Sequence, residues 1–440
     1  MLTRQQLEVR NLGACTVESQ LSVRRGGRFV PDAARLLHRI DFTPDDPIDP
    51  GISLEKAGPR QRIFFQPENV RAAIVTCGGL CPGLNNVIRS VFFELFHYYG
   101  VKRVVGVRHG YQGFNPAYGH ALLELSAEAV EHIHKLGGTL LGSSRGPQDA
   151  KVIVDFLEKE GVNVLFCVGG DGTLRGAHAI CEESSRRNLR LAIVGIPKTI
   201  DNDISFVWQS FGYITAVEKA REALDGAHAE AKASPNGISL VKLMGRDAGF
   251  IAAGATVASQ EVNYTLIPEV PFRLEGEGGF LEHLKQRILT RKHALIVVAE
   301  GAGQGLLESG PAEFDASGNF KHGDIGAFLN EQIRDYFCRQ GIPVVLRYID
   351  PSYLIRSTPA NTGDSLLCDQ LARNAVHAAM AGKTDMIVGS WQNHFVHVPI
   401  EVVVQHKKRL REENELWAAV LEATGQPARF GRLDAAADRR

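Results

Sequence analysis

Val164-Leu165-Phe166-Cys167-Val168-Gly169-Gly170-Asp171-Gly172-Thr173 sets an apolar run against a glycine-rich close, and a helical pattern follows over 173–186. The parts read as a buried strand (163–168), a tight turn and a helix, the opening of a βαβ unit. The same alternation recurs from Arg71 onward. Strands are expected over 72–77, 102–108, 163–168, 191–196, 238–243, 264–267, 294–299, 343–349 and 385–389. Helices are expected over 85–99, 126–136, 149–160, 173–186, 212–228, 277–291, 325–340, 364–381 and 401–422. Apolar strands alternating with helices predict parallel sheets covered on both faces. The expected fold class is α/β: two Rossmann-like three-layer domains with mostly parallel sheets and a site in the cleft between them.

With 440 residues and 44% apolar content, the chain is long enough for two domains with sizeable cores. Its 49 basic and 50 acidic residues nearly cancel. No global field then favours nucleic acid or a membrane surface, so an anionic ligand must be held by local groups. Seven scattered cysteines, and a Met1-Leu2-Thr3-Arg4-Gln5-Gln6 start without an apolar stretch, point to a reducing cytoplasm. Cys77 and Cys81 have no partnering Cys/His pair for a metal. No run approaches ~18 apolar residues, so no membrane span is expected.

Residues 1–70, with the turn cluster Asp45-Asp46-Pro47-Ile48-Asp49-Pro50-Gly51, read as an N-terminal extension packed on the core. One domain is expected over 71–206 with about 357–400, a second over 207–356, and a C-terminal helix and tail over 401–440. Within 401–422, Lys407, Lys408, Arg409, Arg411, Glu412, Glu413 and Glu415 are expected on a solvated helix face around Leu410, Leu416 and Trp417. The 425–440 tail is expected to be mobile.

Two glycine-rich loops end strands. Gly78-Gly79-Leu80-Cys81-Pro82-Gly83-Leu84-Asn85-Asn86 opens a helix, which suits close approach of backbone and helix N-terminus to an anion. It fits neither Gly-x-Gly-x-x-Gly nor the P-loop pattern, and alone it reads equally as a tight turn. Gly169-Gly170-Asp171-Gly172-Thr173 adds a carboxylate where phosphates would sit. Asp171 suits Mg²⁺, directly or through water; Thr173 suits a helix cap or a phosphate contact. Leu141-Gly142-Ser143-Ser144-Arg145-Gly146 reads as the end of another strand carrying a fixed cation, with a surface ion pair as the structural alternative.

Pro197-Lys198-Thr199-Ile200-Asp201-Asn202-Asp203 places two carboxylates two residues apart after strand 191–196. In extended chain they share a face, so one can serve a metal while the other meets a hydroxyl proton; an Asp-rich turn is the alternative. Further on, Met244-Gly245-Arg246, Glu300, Arg347, Tyr353 and Arg356 offer guanidinium forks, an acid and a phenol suited to a phosphate monoester. Anion-binding groups at both ends with a base between describe phosphoryl transfer to an alcohol.

In this order, Gly78-Gly79-x-x-Pro82-Gly83-x-Asn85, Gly169-Gly170-Asp171-Gly172-Thr173, Pro197 to Asp203, Met244-Gly245-Arg246 and Tyr353-x-x-Arg356 resemble the phosphofructokinase family over about residues 59–400. The run 236–246 and Leu274-Glu275-Gly276-Glu277-Gly278-Gly279 is similar to its plant and trypanosomatid ATP-using branch. The resemblance implies a glycolytic, allosteric kinase, assisted by Mg²⁺, that uses ATP to phosphorylate fructose 6-phosphate at its 1-hydroxyl. It implies a homodimer or homotetramer with no nucleic-acid or membrane partner. The first domain would take the phosphoryl donor and the second the sugar phosphate.

By the same resemblance Asp201 is the base, with Thr199 beside it, and Asp171 and Asp203 manage Mg²⁺. Arg246 steadies charge on the transferred group. Gly78, Gly79, Tyr111, Arg145, Gly146, Gly170, Asp171, Gly172, Thr173 and Gly176 line the nucleotide. Thr199, Asp201, Met244, Gly245, Arg246, Glu300, Tyr353 and Arg356 hold the sugar phosphate, and Arg347 reaches it from a neighbouring subunit.

Lys198 and Gly172 carry the donor question. Bacterial ATP-using members have glycine at the position of Lys198, whereas pyrophosphate-using members have lysine there and aspartate at the position of Gly172. A carboxylate at 172 would block and repel the α-phosphate of ATP, while Lys198 merely adds a cation; ATP is therefore expected, with pyrophosphate the alternative. Tyr353 and Gly237 stand where the bacterial ATP-using members have a histidine and an interface-crossing arginine. NAD kinases and lipid kinases share the Gly-Gly-Asp-Gly-Thr loop but lack the Pro197–Asp203 motif and the Tyr353/Arg356 pair. A non-catalytic sugar-phosphate sensor would have no need of Asp201.

Overall fold

The structure, a computed structural model, describes residues 2–21, 28–307 and 322–431. Two sheets organise them. The larger has nine strands in the order Arg35–Leu37, Ser53–Lys56, His394–Pro399, Met386–Trp391, Ala192–Pro197, Val164–Gly169, Arg71–Thr76, Arg103–Val107 and Leu123–Glu124. From Met386–Trp391 to Arg103–Val107 neighbours are parallel; the flanking strands are antiparallel. The second sheet runs Tyr264–Leu266, His293–Ala299, Gly237–Leu243, Val345–Ile349, all parallel.

Strand side chains alternate between the two covered faces, as the pleat requires. Ala72, Ile74, Phe166 and Val168 pack with helices Leu84–Phe93 and Thr362–Met380, while Ala73, Val75, Leu165 and Cys167 pack with Ala150–Lys159 and Asp171–Arg186. The second sheet is covered likewise, Val241 and Val297 facing helices Tyr213–Ala233 and Phe250–Ser259, Leu240 and Ile296 facing Phe280–Arg291 and Ile325–Arg339. The expected α/β layering is present.

The larger sheet also places the site. Arg71–Thr76 leads to Arg103–Val107 on one side, and the chain then returns to Val164–Gly169 on the other. Ligand crevices form outside the carboxyl ends of strands at such a reversal. The loops beginning at Cys77 and Gly170 flank it.

Several elements differ from the sequence reading. Helix 85–99 runs as α over Leu84–Phe93 and then widens to a π segment over Glu94–Tyr99. The 126–136 stretch breaks into Ala127–Val130 and a 3₁₀ turn, Ile133–Lys135. No strand precedes Leu141; residues 139–146 form a loop, held by Asn85, whose Oδ1 accepts from Leu140 N–H at 2.7 Å. The N-terminal extension adds two strands to the large sheet.

The expected 401–422 helix is absent as such. Ile400–Val403 forms one turn, 404–414 is irregular, and a helix resumes at Glu415–Thr424, capped by Asn414. Arg409, Arg411, Glu413 and Glu415 are exposed around the buried Leu410 and Trp417, as expected, but not on one helix, and Lys408 is tied instead to the carbonyls of Val207 and Trp208. The tail also packs as far as residue 431: Phe430 is buried and Gln426 bonds Thr265 N–H at 2.7 Å. Residues 432–440 lie outside those described. No helix among the described residues is long and apolar enough to cross a membrane.

Candidate active site

A cleft of about 760 Å³ opens where the carboxyl ends of both sheets face each other. Its floor is the 170–173 turn, where a strand passes directly into a helix. Helix Asp171–Arg186 begins two residues earlier than expected, with Gly170 as its N-cap and no side-chain cap. The amides of its first turn therefore have no intrahelical partner, and helix polarity adds positive charge there. Thr173 is in this turn, not at the cap. A Cβ on Gly169 would lie 2.1 Å from Thr173 Oγ1, whereas one on Gly172 would meet nothing within 4 Å. Glycine at 169 is steric necessity; at 172 it leaves open cleft.

The donor wall is built from distant segments. Tyr111 O–H donates to the Thr173 carbonyl at 2.7 Å, and its ring fills the space a side chain at Gly176 would need. Gly78, Gly79, Arg145 and Gly146 line the same wall. The helix after the 78–83 loop starts at Leu84, and neither Leu84 nor Asn85 lines the cleft; only Gly78, Gly79 and Leu80 of that loop do so. Lys198 is buried, and its Nζ donates to the Gly79 carbonyl at 3.0 Å, tying the two strand ends together. Burial pushes its ammonium below the ordinary value.

The carboxylates follow. Thr199 Oγ1 donates to Asp203 Oδ1 at 2.6 Å and accepts from Asp201 N–H at 3.2 Å. Asp201 Oδ1 is buried with no hydrogen-bond partner. Burial first, then the charges of Asp203 and Glu300, hold the Asp201 carboxyl well above the usual carboxylate range. Burial and then Asp203 raise Asp171, and burial raises Glu300. Asp171, Asp201 and Asp203 thus line a single cleft with their carboxylates, and Asp201 keeps one buried oxygen without a hydrogen-bond partner. That donor set fits Mg²⁺, which takes one or two carboxylates and keeps waters. Among the described residues, the group whose ligand atoms lie within 4.8 Å of one another is instead His178, Glu182 and Asp385, outside the cleft lining. Arg10 already pairs with its two carboxylates.

Met244, Arg246, Glu300, Tyr353 and Arg356 form the opposite wall. The Arg356 guanidinium stacks 4.3 Å from the Tyr353 ring centroid. Gly245, at φ 131°, does not itself line the cleft; it permits the turn that presents Arg246. Arg347 is not in the cleft either: it is exposed on the edge strand Val345–Ile349 and pairs with Glu230 at 2.9 Å. At Gly237 a Cβ would sit 2.1 Å from the Ala231 carbonyl, so this chain has no room for a side chain there.

Sequence reading missed Lys242, Asp350 and Lys407. Lys242 bridges Asp324 and Asp350, each at 3.0 Å, and lines the cleft with Asp350. A lysine as the only charged residue of the Gly237–Leu243 strand and an acid directly after Val345–Ile349 were available signals. Lys407 had none.

Comparison with known proteins follows the same lines. The sequence model of the family described as Phosphofructokinase matches residues 71–379. A Borreliella burgdorferi protein named ATP-dependent 6-phosphofructokinase is 50% identical over 382 residues, 86% of each chain. A Trypanosoma cruzi protein of the same name is 48% identical over 84% of this chain and 76% of its own. Among solved structures, a pyrophosphate-dependent phosphofructokinase from Marinobacter aquaeolei superimposes with a TM-score of 0.66 over 83% of this chain and 94% of its own; at 19% identity this speaks to the fold alone. The family match begins on the first strand of the parallel core and ends in the Thr362–Met380 helix, enclosing every sequence-predicted site residue, and the chain belongs to the phosphofructokinase family.

Proposed function

We propose that the protein is an ATP-dependent 6-phosphofructokinase, transferring a phosphoryl group to the 1-hydroxyl of fructose 6-phosphate. The observation that carries this reading is Asp201: a buried carboxylate with an unpartnered oxygen, between a wall of uncapped helix amides and a wall bearing Arg246 and Arg356. A hydroxyl placed against the Asp201 carboxylate would give up its proton there as the phosphoryl group arrives. The first-turn amides of the Asp171–Arg186 helix hold donor phosphates, and Arg246 meets the charge that develops on the group in flight. Met244, Glu300, Tyr353 and Arg356 hold the sugar phosphate, with Gly245 shaping the turn. Asp171 and Asp203 would hold Mg²⁺, which supplies charge neutralisation across the donor phosphates.

ATP is favoured as donor by Gly172, whose α-carbon faces open cleft. The relatives at 44–50% identity carry ATP-dependent names, which supports the same choice. Lys198 is engaged with Gly79, so its presence alone does not argue for pyrophosphate. Parallel steady-state assays of fructose 6-phosphate phosphorylation with ATP and with pyrophosphate test the reading; a higher kcat/KM with pyrophosphate would overturn the donor.

We further propose a cytoplasmic homo-oligomer, dimer or tetramer, in which Arg347 reaches the sugar-phosphate site of a neighbouring copy. Its exposed position and the 72% exposure of Tyr353 support this. Light scattering of the purified chain reports the assembly, and a monomer would refute it.

A further inference from the structure

The segment 404–411 crosses behind the carboxylate loop. Lys407 forms an antiparallel bridge with Ile204, Lys408 N–H donates to the Asp203 carbonyl at 2.8 Å, and Ser205 O–H donates to the His406 carbonyl at 2.6 Å. Beyond it, Leu410 N–H donates to Glu269 at 2.8 Å and its side chain is buried in the core of the second sheet. The strap is therefore fixed on both sides of the lysine pair.

Extended backbone sends adjacent side chains opposite ways. Lys408 turns inward, its Nζ donating to the carbonyls of Val207 at 2.7 Å and Trp208 at 2.9 Å. Lys407 turns into the cleft, where it pairs with Asp247 and attracts Asp203 and Asp171. Asp203 and Asp247 repel the Asp171 carboxylate, and Lys407, with Arg175, attracts it. Residue 407 also lies beyond the 71–379 span of the family match.

We propose that Lys407 is a positioning residue of the phosphoryl-transfer centre: the strap delivers a fixed positive charge that offsets the mutual repulsion of Asp171, Asp203 and Asp247 and sets how strongly they take a divalent cation. The proposal rests on the reading of Asp171 and Asp203 as metal-holding groups of a sugar-phosphate kinase.

The test is Lys407→Met in the full chain, with Lys407→Arg as control. Calorimetric titration of the protein with Mn²⁺ alone, without ATP or sugar, should show binding tightened about threefold or more in Lys407→Met, because one nearby positive charge is gone. At saturating Mg²⁺, kcat should fall about tenfold or more with the fructose 6-phosphate KM within about twofold, as for loss of a transition-state contribution. Lys407→Arg should restore both. Unchanged Mn²⁺ affinity and kcat overturn the proposal. So does weakening of both metal and sugar binding that arginine fails to restore, which is what loss of strap packing would produce. Failure of the wild type to phosphorylate fructose 6-phosphate would sink the functional reading instead, while the Mn²⁺ titration would still judge Lys407.

Discussion

Thr199 Oγ1 donates to Asp203 Oδ1 at 2.6 Å, and this bond makes two carboxylates of one short motif unequal. Asp203 is anchored by the hydroxyl. Asp201, two residues away, keeps a buried oxygen with no partner and a carboxyl held well above its ordinary range by burial and by Asp203. An anchored group suits a metal and a poised one suits a proton.

Replacing the poised group should separate catalysis from binding. Asp201→Asn is expected to lower kcat by about 10²- to 10⁴-fold, the usual worth of a general base. Fructose 6-phosphate affinity, read by calorimetry, should stay within a few-fold. Unchanged turnover would remove Asp201 from the role of base.

The same carboxyl sets a pH dependence. Its free-enzyme value is raised, so the ionised base is lost as pH falls, and earlier than for an ordinary aspartate. The acid limb of kcat/KM should therefore lie well above the ordinary aspartate value of 3.8. That limb should be missing from the residual activity of Asp201→Asn. A wild-type limb at ordinary aspartate values would contradict the structure.

Gly172 can be tested without endangering the fold, since a Cβ there meets nothing within 4 Å. Gly172→Asp should keep its melting temperature within a few degrees while ATP kcat/KM drops by about 10²-fold or more, from obstruction and like-charge repulsion. Preserved ATP turnover would refute the steric argument.

Away from the cleft, Glu55 joins the N-terminal extension to the sheet through His397 at 3.1 Å and Lys383 at 2.9 Å. Burial alone would raise its carboxyl, but His397 and Lys383 outweigh it and bring the value from 4.5 to about 2. The depressed value means that Glu55 stabilises the fold above about pH 4.5 and loses that effect as pH falls toward 2. The shift corresponds to about 3 kcal/mol. Glu55→Gln should cost about 2–3 kcal/mol at neutral pH in chemical denaturation, the gap to wild type narrowing as pH is lowered from about 5 to about 3. A gap independent of pH would place the cost elsewhere.

Much of this protein was legible before its structure because the signals are local. Apolar runs ending in glycine marked the parallel strands, and Gly169 to Thr173 and Lys198 to Asp203 marked the strand ends where the cleft forms. The α/β layering, the phosphate-binding turn and the carboxylate pair follow from local pattern, since side-chain period and turn geometry depend on near neighbours. Folding brings Lys198 to Gly79, 119 residues away, and leaves Arg347 outside this chain's cleft. It also turned an expected surface helix into a strap bringing Lys407 to Asp247, 160 residues distant. A charge is defined by what surrounds it, and for these groups the surroundings come from remote segments that no local pattern encodes.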